Sequence, residues 1–163
     1  MADPHGTHET HVIGLISDTH GMVRATVFDA LAGVELILHA GDVGDGVFVE
    51  LETIAPVRAV YGNTDPVGDP DLAESIATTI GGLSIHVSHG HELGRPTPER
   101  LLAAYPADVV VYGHTHRQLV VRADGRLVVN PGAAGARRFD LEPSVARLTI
   151  AAGVAAVELV PLT

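Results

Sequence analysis

An α/β domain of two packed mixed β-sheets with helices outside is the fold this sequence predicts. Three observations predict it. Short Val/Ile/Leu-rich runs alternate with amphipathic helical stretches in the first third of the chain. Later runs turn back on themselves through Gly-Gly and Asp-Gly pairs, as hairpins do. The 163 residues, 46% apolar, are one domain's worth, enough to bury ~70% of the unfolded surface. The chain therefore reads as a single domain over 1–163, with polar, His-rich residues 1–10 as a flexible tail.

Each element has a local cause. Runs at 12–16, 35–38, 57–60, 83–87, 109–112 and 127–129 are short and branched, as buried strands are. Between the first two, residues 22–31 carry Val23, Val27 and Leu31 at helical spacing, with Gly33 as a stop. Val47, Leu51 and Ile54 repeat that spacing before Pro56. Thr97-Pro98 supplies an N-cap and a first-turn proline for a third helix through Leu101, Leu102 and Tyr105. Leu83, Ile85 and Val87 alternate with Ser84, His86 and Ser88, giving a strand with one wet face. Gly81-Gly82 turns it back on 75–80; Asp124-Gly125 and Gly153 mark two further hairpins. The apolar strands over 144–160 predict an edge on which a second copy would pair, as a homodimer or higher homo-oligomer.

Composition excludes several functions. All ten basic residues are Arg, so a Walker phosphate loop and Schiff-base chemistry are absent. There is no Cys, which removes thiolate nucleophiles and Cys-held zinc. A formal charge of −10 argues against binding long nucleic acid through its phosphates. Residues 1–11 lack the order of a signal peptide and no apolar stretch reaches membrane length, so a cytoplasmic protein with no membrane partner is the expectation. Gly41, Gly44 and Gly46 read G-x-x-G-x-G, not a dinucleotide fingerprint, and Asp42 and Asp45 would repel a pyrophosphate.

The chemistry lies just past the strand ends, in Ser17-Asp18-Thr19-His20, His39-Ala40-Gly41-Asp42, Tyr61-Gly62-Asn63-Thr64-Asp65, Ser88-His89-Gly90-His91, Gly113-His114-Thr115-His116 and Asn130-Pro131-Gly132. Ligands bind at the carboxyl ends of strands in α/β folds, so these segments are expected on one rim. Asp, Asn and His without Cys form a mixed oxygen–nitrogen ligand set suited to Mn²⁺, Fe or Zn²⁺, and Ca²⁺ is disfavoured by so many imidazoles. Residues i and i+2 of Asp18-Thr19-His20 and His114-Thr115-His116 share one side of an extended segment. Seven candidates are too many for one ion and suit two, the arrangement that cleaves phosphate esters.

Asp18-x-His20, Gly41-Asp42, Gly62-Asn63, His89-Gly90-His91 and Gly113-His114-Thr115-His116, in this order, resemble the calcineurin-like metallophosphoesterases, and in particular their small bacterial and archaeal phosphodiesterase branch. The retromer subunit Vps29, a protein-binding relative, belongs to the same structural group. The resemblance implies two divalent ions, Mn²⁺ first and Fe, Zn²⁺, Ni²⁺ or Co²⁺ as alternatives. Asp18, His20, Asp42 and His116 would hold one; Asp42, Asn63, His89 and His114 the other, with Asp42 bridging. It further implies that a hydroxide between the ions attacks phosphorus in a small phosphate ester, most simply a diester. Monoesters, nucleotides and a Vps29-like metal-binding scaffold are the alternatives.

Two departures from the family pattern carry consequences. Many members have His where this chain has Thr64, and that His is thought to protonate the leaving group. Thr is no general acid at neutral pH, so the leaving group must be a good one, or Asp65 or a metal-bound water serves instead. Members often have Ser where Ala133 stands, which removes one hydrogen bond near the metals. His91 is expected to reach the substrate phosphate, alongside Asn63, or to orient His89. His39 is expected to pack beside Asp42, and His86 to lie on the surface. His5, His8 and His11 belong to the solvated tail, Arg117 to solvent, and 65–71 to a surface loop.

Overall fold

The computed structural model describes residues 9–138 and 140–163. Its elements are β1 (Thr10–Ile16), α1 (Ala25–Ala30), β2 (Leu36–His39), α2 (Val47–Glu52), β3 (Val57–Val60), β4 (Leu72–Ala73), β5 (Ile76–Ile80), β6 (Leu83–Val87), α3 (Pro98–Ala104), β7 (Val109–Val111), β8 (Leu119–Ala123), β9 (Arg126–Asn130), β10 (Ser144–Ala151) and β11 (Val154–Pro161). One sheet has the order β11-β10-β1-β2-β3-β4 and the other β5-β6-β7-β9-β8. Both are mixed. β1 through β4 run parallel, with β10 and β11 antiparallel beside them; β6, β7 and β9 run parallel between antiparallel β5 and β8.

Alternation along each strand assigns its side chains to layers. Ile13 and Leu15 of β1, Leu38 of β2, Val109 and Val111 of β7, and Leu127 and Val129 of β9 fill the core between the sheets. The intervening Ile16 and Ile37 face the other way, onto Val27 of α1, Leu31 at its C-terminal end, and Val47 and Leu51 of α2. Val110 and Val128 likewise turn outward to Leu101 of α3. Strands covered on both faces are apolar at every position, which is why they read as continuous runs.

Several boundaries differ from expectation. α1 begins at Ala25 rather than at residue 22, because Arg24, its N-cap, is extended at φ −66° and ψ 145°; the Gly21 N–H bonds Val43 O at 2.8 Å and the Met22 N–H bonds Thr19 O at 3.1 Å. Those two bonds hold the loop that precedes the helix. β1 begins at Thr10, so Thr10 and His11 lie in a strand rather than a tail; the His11 ring sits 3.0 Å from the Glu35 carboxylate. His5 and His8 lie outside the described residues. His86 is half-buried rather than on the surface: its ring stacks on Tyr105 at 3.8 Å, and burial lowers its pKa. In the C-terminal pair, β10 is interior between β1 and β11, so β11 alone is the open edge. Thr97 caps α3 as expected, accepting from the Arg100 N–H at 3.2 Å.

Three two-residue hairpin turns have positive φ at both central positions: Gly81-Gly82, Asp124-Gly125 and Ala152-Gly153. That is the turn that matches strand twist. Ala152, at φ 51°, is the residue poorly suited to it. Ala152→Asn is expected to stabilise the protein by ~0.5–1 kcal/mol. The check is a urea midpoint that rises with an unchanged slope.

Candidate metal centre

The parallel strands β1, β2 and β3 of one sheet and β6, β7 and β9 of the other end at a common rim. Backbone bonds lash the loops there into one block. The Asp18 and His20 amides donate to Gly41 O and Asp42 O, each at 3.0 Å, and the Gly113 amide donates to His89 O at 3.0 Å. Across the sheets, the His114 N–H donates to Asp18 Oδ2 at 3.1 Å, and Ser17 Oγ donates to the same oxygen at 2.6 Å.

Side chains converge on this block. Asp18 Oδ1 lies 3.2 Å from His116 Nε2 and 3.9 Å from both His20 Nε2 and His89 Nε2. Asp42 Oδ2 lies 3.3 Å from His89 Nε2 and 3.7 Å from His20 Nε2, so it faces both halves of the cluster. Two triads have ligand atoms mutually within 4.8 Å: Asp18, His20 and His116, and Asp18, Asp42 and His89. Asn63 Oδ1 and His114 Nδ1 are 3.2 Å apart, and the His114 ring lies edge-on to His89 at 5.2 Å. The structure thus brings all seven sequence candidates to one rim.

The donor set fits divalent cations. Asp18 and His89 are fully buried, yet Asp18 Oδ1 and His89 Nε2 have no hydrogen-bond partner among the described residues. A buried polar atom without a partner costs ~1–3 kcal/mol, and these two lie on facing sides of the cluster. The His89 ring is oriented as a metal ligand requires: Nδ1 donates to Ala40 O at 2.8 Å, leaving Nε2 as the free lone pair.

Backbone conformation is part of the construction. Asp18, His20, Asp42, His114 and His116 all have positive φ, between 47° and 70°. Side chains other than Gly rarely adopt this region, and each instance costs ~1 kcal/mol. Two glycines make room for the ligands. A Cβ on Gly62 would sit 2.1 Å from Asp42 Oδ1, and one on Gly113 would sit 2.0 Å from Ser17 Oγ and 2.6 Å from Asp18 Oδ2.

The charges are mutually stabilised. Burial would raise the Asp42 carboxyl, but the His89 imidazole, 3.3 Å from Oδ2, and the Thr64 amide, 3.0 Å from Oδ1, outweigh it and hold Asp42 well below the usual carboxylate range. Asp18 is pulled down the same way, its burial outweighed by His116, His89 and Ser17. His89 is raised: burial opposes its charge, but Asp42 and Asp18 prevail. His114 is lowered by burial and by the nearby His89.

Several residues act behind the ligands. His39 is fully buried, as expected beside Asp42. Its Nδ1 accepts from the Gly41 N–H at 3.1 Å, so the proton is on Nε2, which donates to Thr19 Oγ1 at 2.9 Å; Thr19 donates on to Val43 O at 2.6 Å. This relay ties the Asp18 loop to the Asp42 loop and requires a neutral ring. Burial accordingly pushes the His39 pKa from 6.5 down to about 4. Between those values the unfolded chain holds a proton that the folded one does not. Stability from His39 is therefore full above pH 6.5 and lost as pH falls to 4, by about 3 kcal/mol in total. In metal-free protein, His39→Asn is expected to flatten the fall in unfolding free energy over this window, measured by urea titration at each pH.

Asp65 is a correction. Rather than standing free as a proton donor, its carboxylate accepts from the backbone amides of Val43, Gly44 and Gly62 at 2.9–3.1 Å. A carboxylate engaged in this way is an acceptor bracing two ligand loops. Position 64 contributes its backbone amide to Asp42, and the Thr64 side chain is exposed. His91 stands beside the cluster, its ring 5.3 Å from His89 and 6.3 Å from His114. Asn130, expected on the rim but given no ligand role, donates to Gly113 O and Thr115 Oγ1 at 3.1 and 3.0 Å and so shapes the His114–His116 loop. Its only sequence signal is a polar residue ending a buried strand.

Comparison with known proteins agrees with this geometry. The calcineurin-like phosphoesterase superfamily domain matches residues 12–153. A probable metallophosphoesterase of Methanothermobacter thermautotrophicus is 37% identical over 148 residues, covering 85% of this chain and 86% of the relative. A phosphodiesterase of Methanocaldococcus jannaschii is 31% identical over 138 residues, covering 74% and 82%. Among solved structures, Vps29 of Cryptosporidium parvum superposes with a TM-score of 0.77 at 24% identity, covering 93% of this chain and 97% of that one. An archaeal phosphodiesterase superposes with a TM-score of 0.71 at 26% identity, covering 91% and 99%. From its loops, its cluster and its relatives alike, this chain belongs to the calcineurin-like phosphoesterase superfamily.

Proposed function

We propose that the protein is a phosphodiesterase that works with two divalent cations, Mn²⁺ in the first instance. The observation that carries this reading is the convergence of seven oxygen and nitrogen donors, with Asp18 Oδ1 and His89 Nε2 buried and unpartnered, at one rim. Asp18, His20 and His116 form one half of the ligand set, and Asn63, His89 and His114 the other. Asp42, which faces both His20 and His89, would be shared by the two halves. Bound cations supply Lewis acidity, lowering the pKa of water and neutralising charge on phosphoryl oxygens.

The chain's own residues do the rest. The lashed loops hold the ligands rigid, so no reorganisation is needed as charge develops. Asn63 and His91 flank the cluster, where each can hydrogen-bond a phosphoryl or ester oxygen. With Thr64 exposed and Asp65 engaged by amides, the cluster has no dedicated proton donor at the family's usual position, which favours esters with good leaving groups. A net charge of −10 favours a small substrate over long nucleic acid, and a cytoplasmic location goes with this reading.

The test uses chelator-stripped protein and bis(p-nitrophenyl) phosphate, with and without Mn²⁺. Hydrolysis that appears only with metal, faster than on p-nitrophenyl phosphate, is the expected result. Faster monoester cleavage would move the assignment to a phosphomonoesterase. Bound metal with no hydrolysis of any ester would leave the interaction scaffold instead.

A further inference from the structure

A cleft of about 160 Å³ adjoins the cluster, lined by Tyr61, Glu74, Ser88, His91, Glu92 and Tyr105 among others. The residues that build it neighbour the ligands in sequence: Tyr61 lies two before Asn63, and Ser88 directly precedes His89. His91 is shared, lining the cleft with its ring 5.3 Å from His89. A phosphorus held at the cluster would therefore direct one of its ester arms into this cleft.

The lining is rich in acceptors. Ser88 is 2% exposed, and its Oγ has no hydrogen-bond partner among the described residues; His91 Nδ1 has none either. Glu92 Oε1 accepts from the Gly90 N–H at 2.9 Å and Oε2 from the Tyr105 hydroxyl at 2.6 Å. Each of these oxygens keeps a further lone pair. Glu74 adds a second carboxylate, and no Arg lines the cleft among the described residues. Two carboxylates repel an anion and accept N–H donors, and the hydroxyl oxygen and imidazole nitrogen beside them can accept further N–H groups of the same cation.

We propose that this cleft holds one arm of a phosphodiester and selects an arm carrying a primary ammonium, of 2-aminoethyl size. This rests on the phosphodiesterase reading. It excludes esters whose second arm is anionic, including those with a further phosphate.

The experiment compares three p-nitrophenyl phosphodiesters whose second arm is 2-aminoethyl, ethyl or 2-carboxyethyl, on the Mn²⁺-loaded protein. The expected kcat/KM for the aminoethyl ester exceeds that for the carboxyethyl ester by ~10-fold or more, with the ethyl ester between. In Glu74→Gln and Glu92→Gln that ratio is expected to fall towards one. A second readout needs no turnover. The chain has three Tyr and no Trp, and two of the three line the cleft. Ethanolamine is expected to change the tyrosine emission of metal-free protein saturably, propionate is not, and both Gln variants weaken the response. A wild-type ratio near one, or a ratio that both variants leave unchanged, overturns the inference while the phosphodiesterase reading stands. If no ester is cleaved, that reading fails instead, and a missing ethanolamine response then overturns the cleft assignment as well.

Discussion

Asp42→Asn is expected to lower Mn²⁺-dependent hydrolysis of an aryl phosphodiester by at least ~10²–10³-fold while the protein stays folded. The carboxylate loses the charge that faces both His20 and His89. The amide that replaces it is nearly the same shape. It still accepts from the Thr64 N–H, and Asn tolerates the positive φ of 54° at this position. Asp42→Ala loses that bond and adds strain, so a dead Ala variant alone could reflect misfolding. Circular dichroism and urea midpoints of both variants, measured metal-free, separate the two causes. Wild-type rates in Asp42→Asn would remove the bridge from the mechanism.

Adding saturating Mn²⁺ to chelator-stripped protein is expected to raise its melting temperature by roughly 10 °C. Metal-free protein carries five ligands in left-handed backbone conformation and two buried polar ligand atoms without partners. Folding the rest of the domain sustains these costs, and a cation bound only by the folded state offsets them. At a metal concentration roughly a thousandfold above its dissociation constant, mass action contributes ~4 kcal/mol. For a domain of this size each kcal/mol is worth ~2–4 °C. Scanning calorimetry with Mn²⁺, Zn²⁺ and Ca²⁺ makes the comparison. A shift no larger with Mn²⁺ than with Ca²⁺ would contradict a nitrogen-rich site.

Legibility from the sequence tracked physical range. Strands such as β7 and β9 are buried on both faces, so their apolar runs identify them without any knowledge of partners. The hairpin pairs at Gly81-Gly82 and Asp124-Gly125 announce themselves because few residues adopt two successive positive φ values. Helix starts were less legible. Val23 and Val27 have helical spacing, yet α1 begins at Ala25 because Arg24 is extended, in a loop held by the Gly21 and Met22 amide bonds. Periodicity carries no trace of those bonds.

The sequence by itself determined the fold class and marked seven candidate donors, because residue type and position at strand ends are local properties. Only the tertiary structure decided what each donor faces and what is left free. Asp18 and His116 are 98 residues apart in the chain, and their 3.2 Å contact exists because the two sheets pack with their parallel strands ending at one rim. The same packing turned Asp65 from a candidate acid into a brace for three amides and buried His86 against Tyr105. It also gathered Glu74, Ser88 and Glu92 into a cleft beside the cluster. A hydrogen bond or a cavity depends on distances set by the whole core, and no window of sequence contains that information.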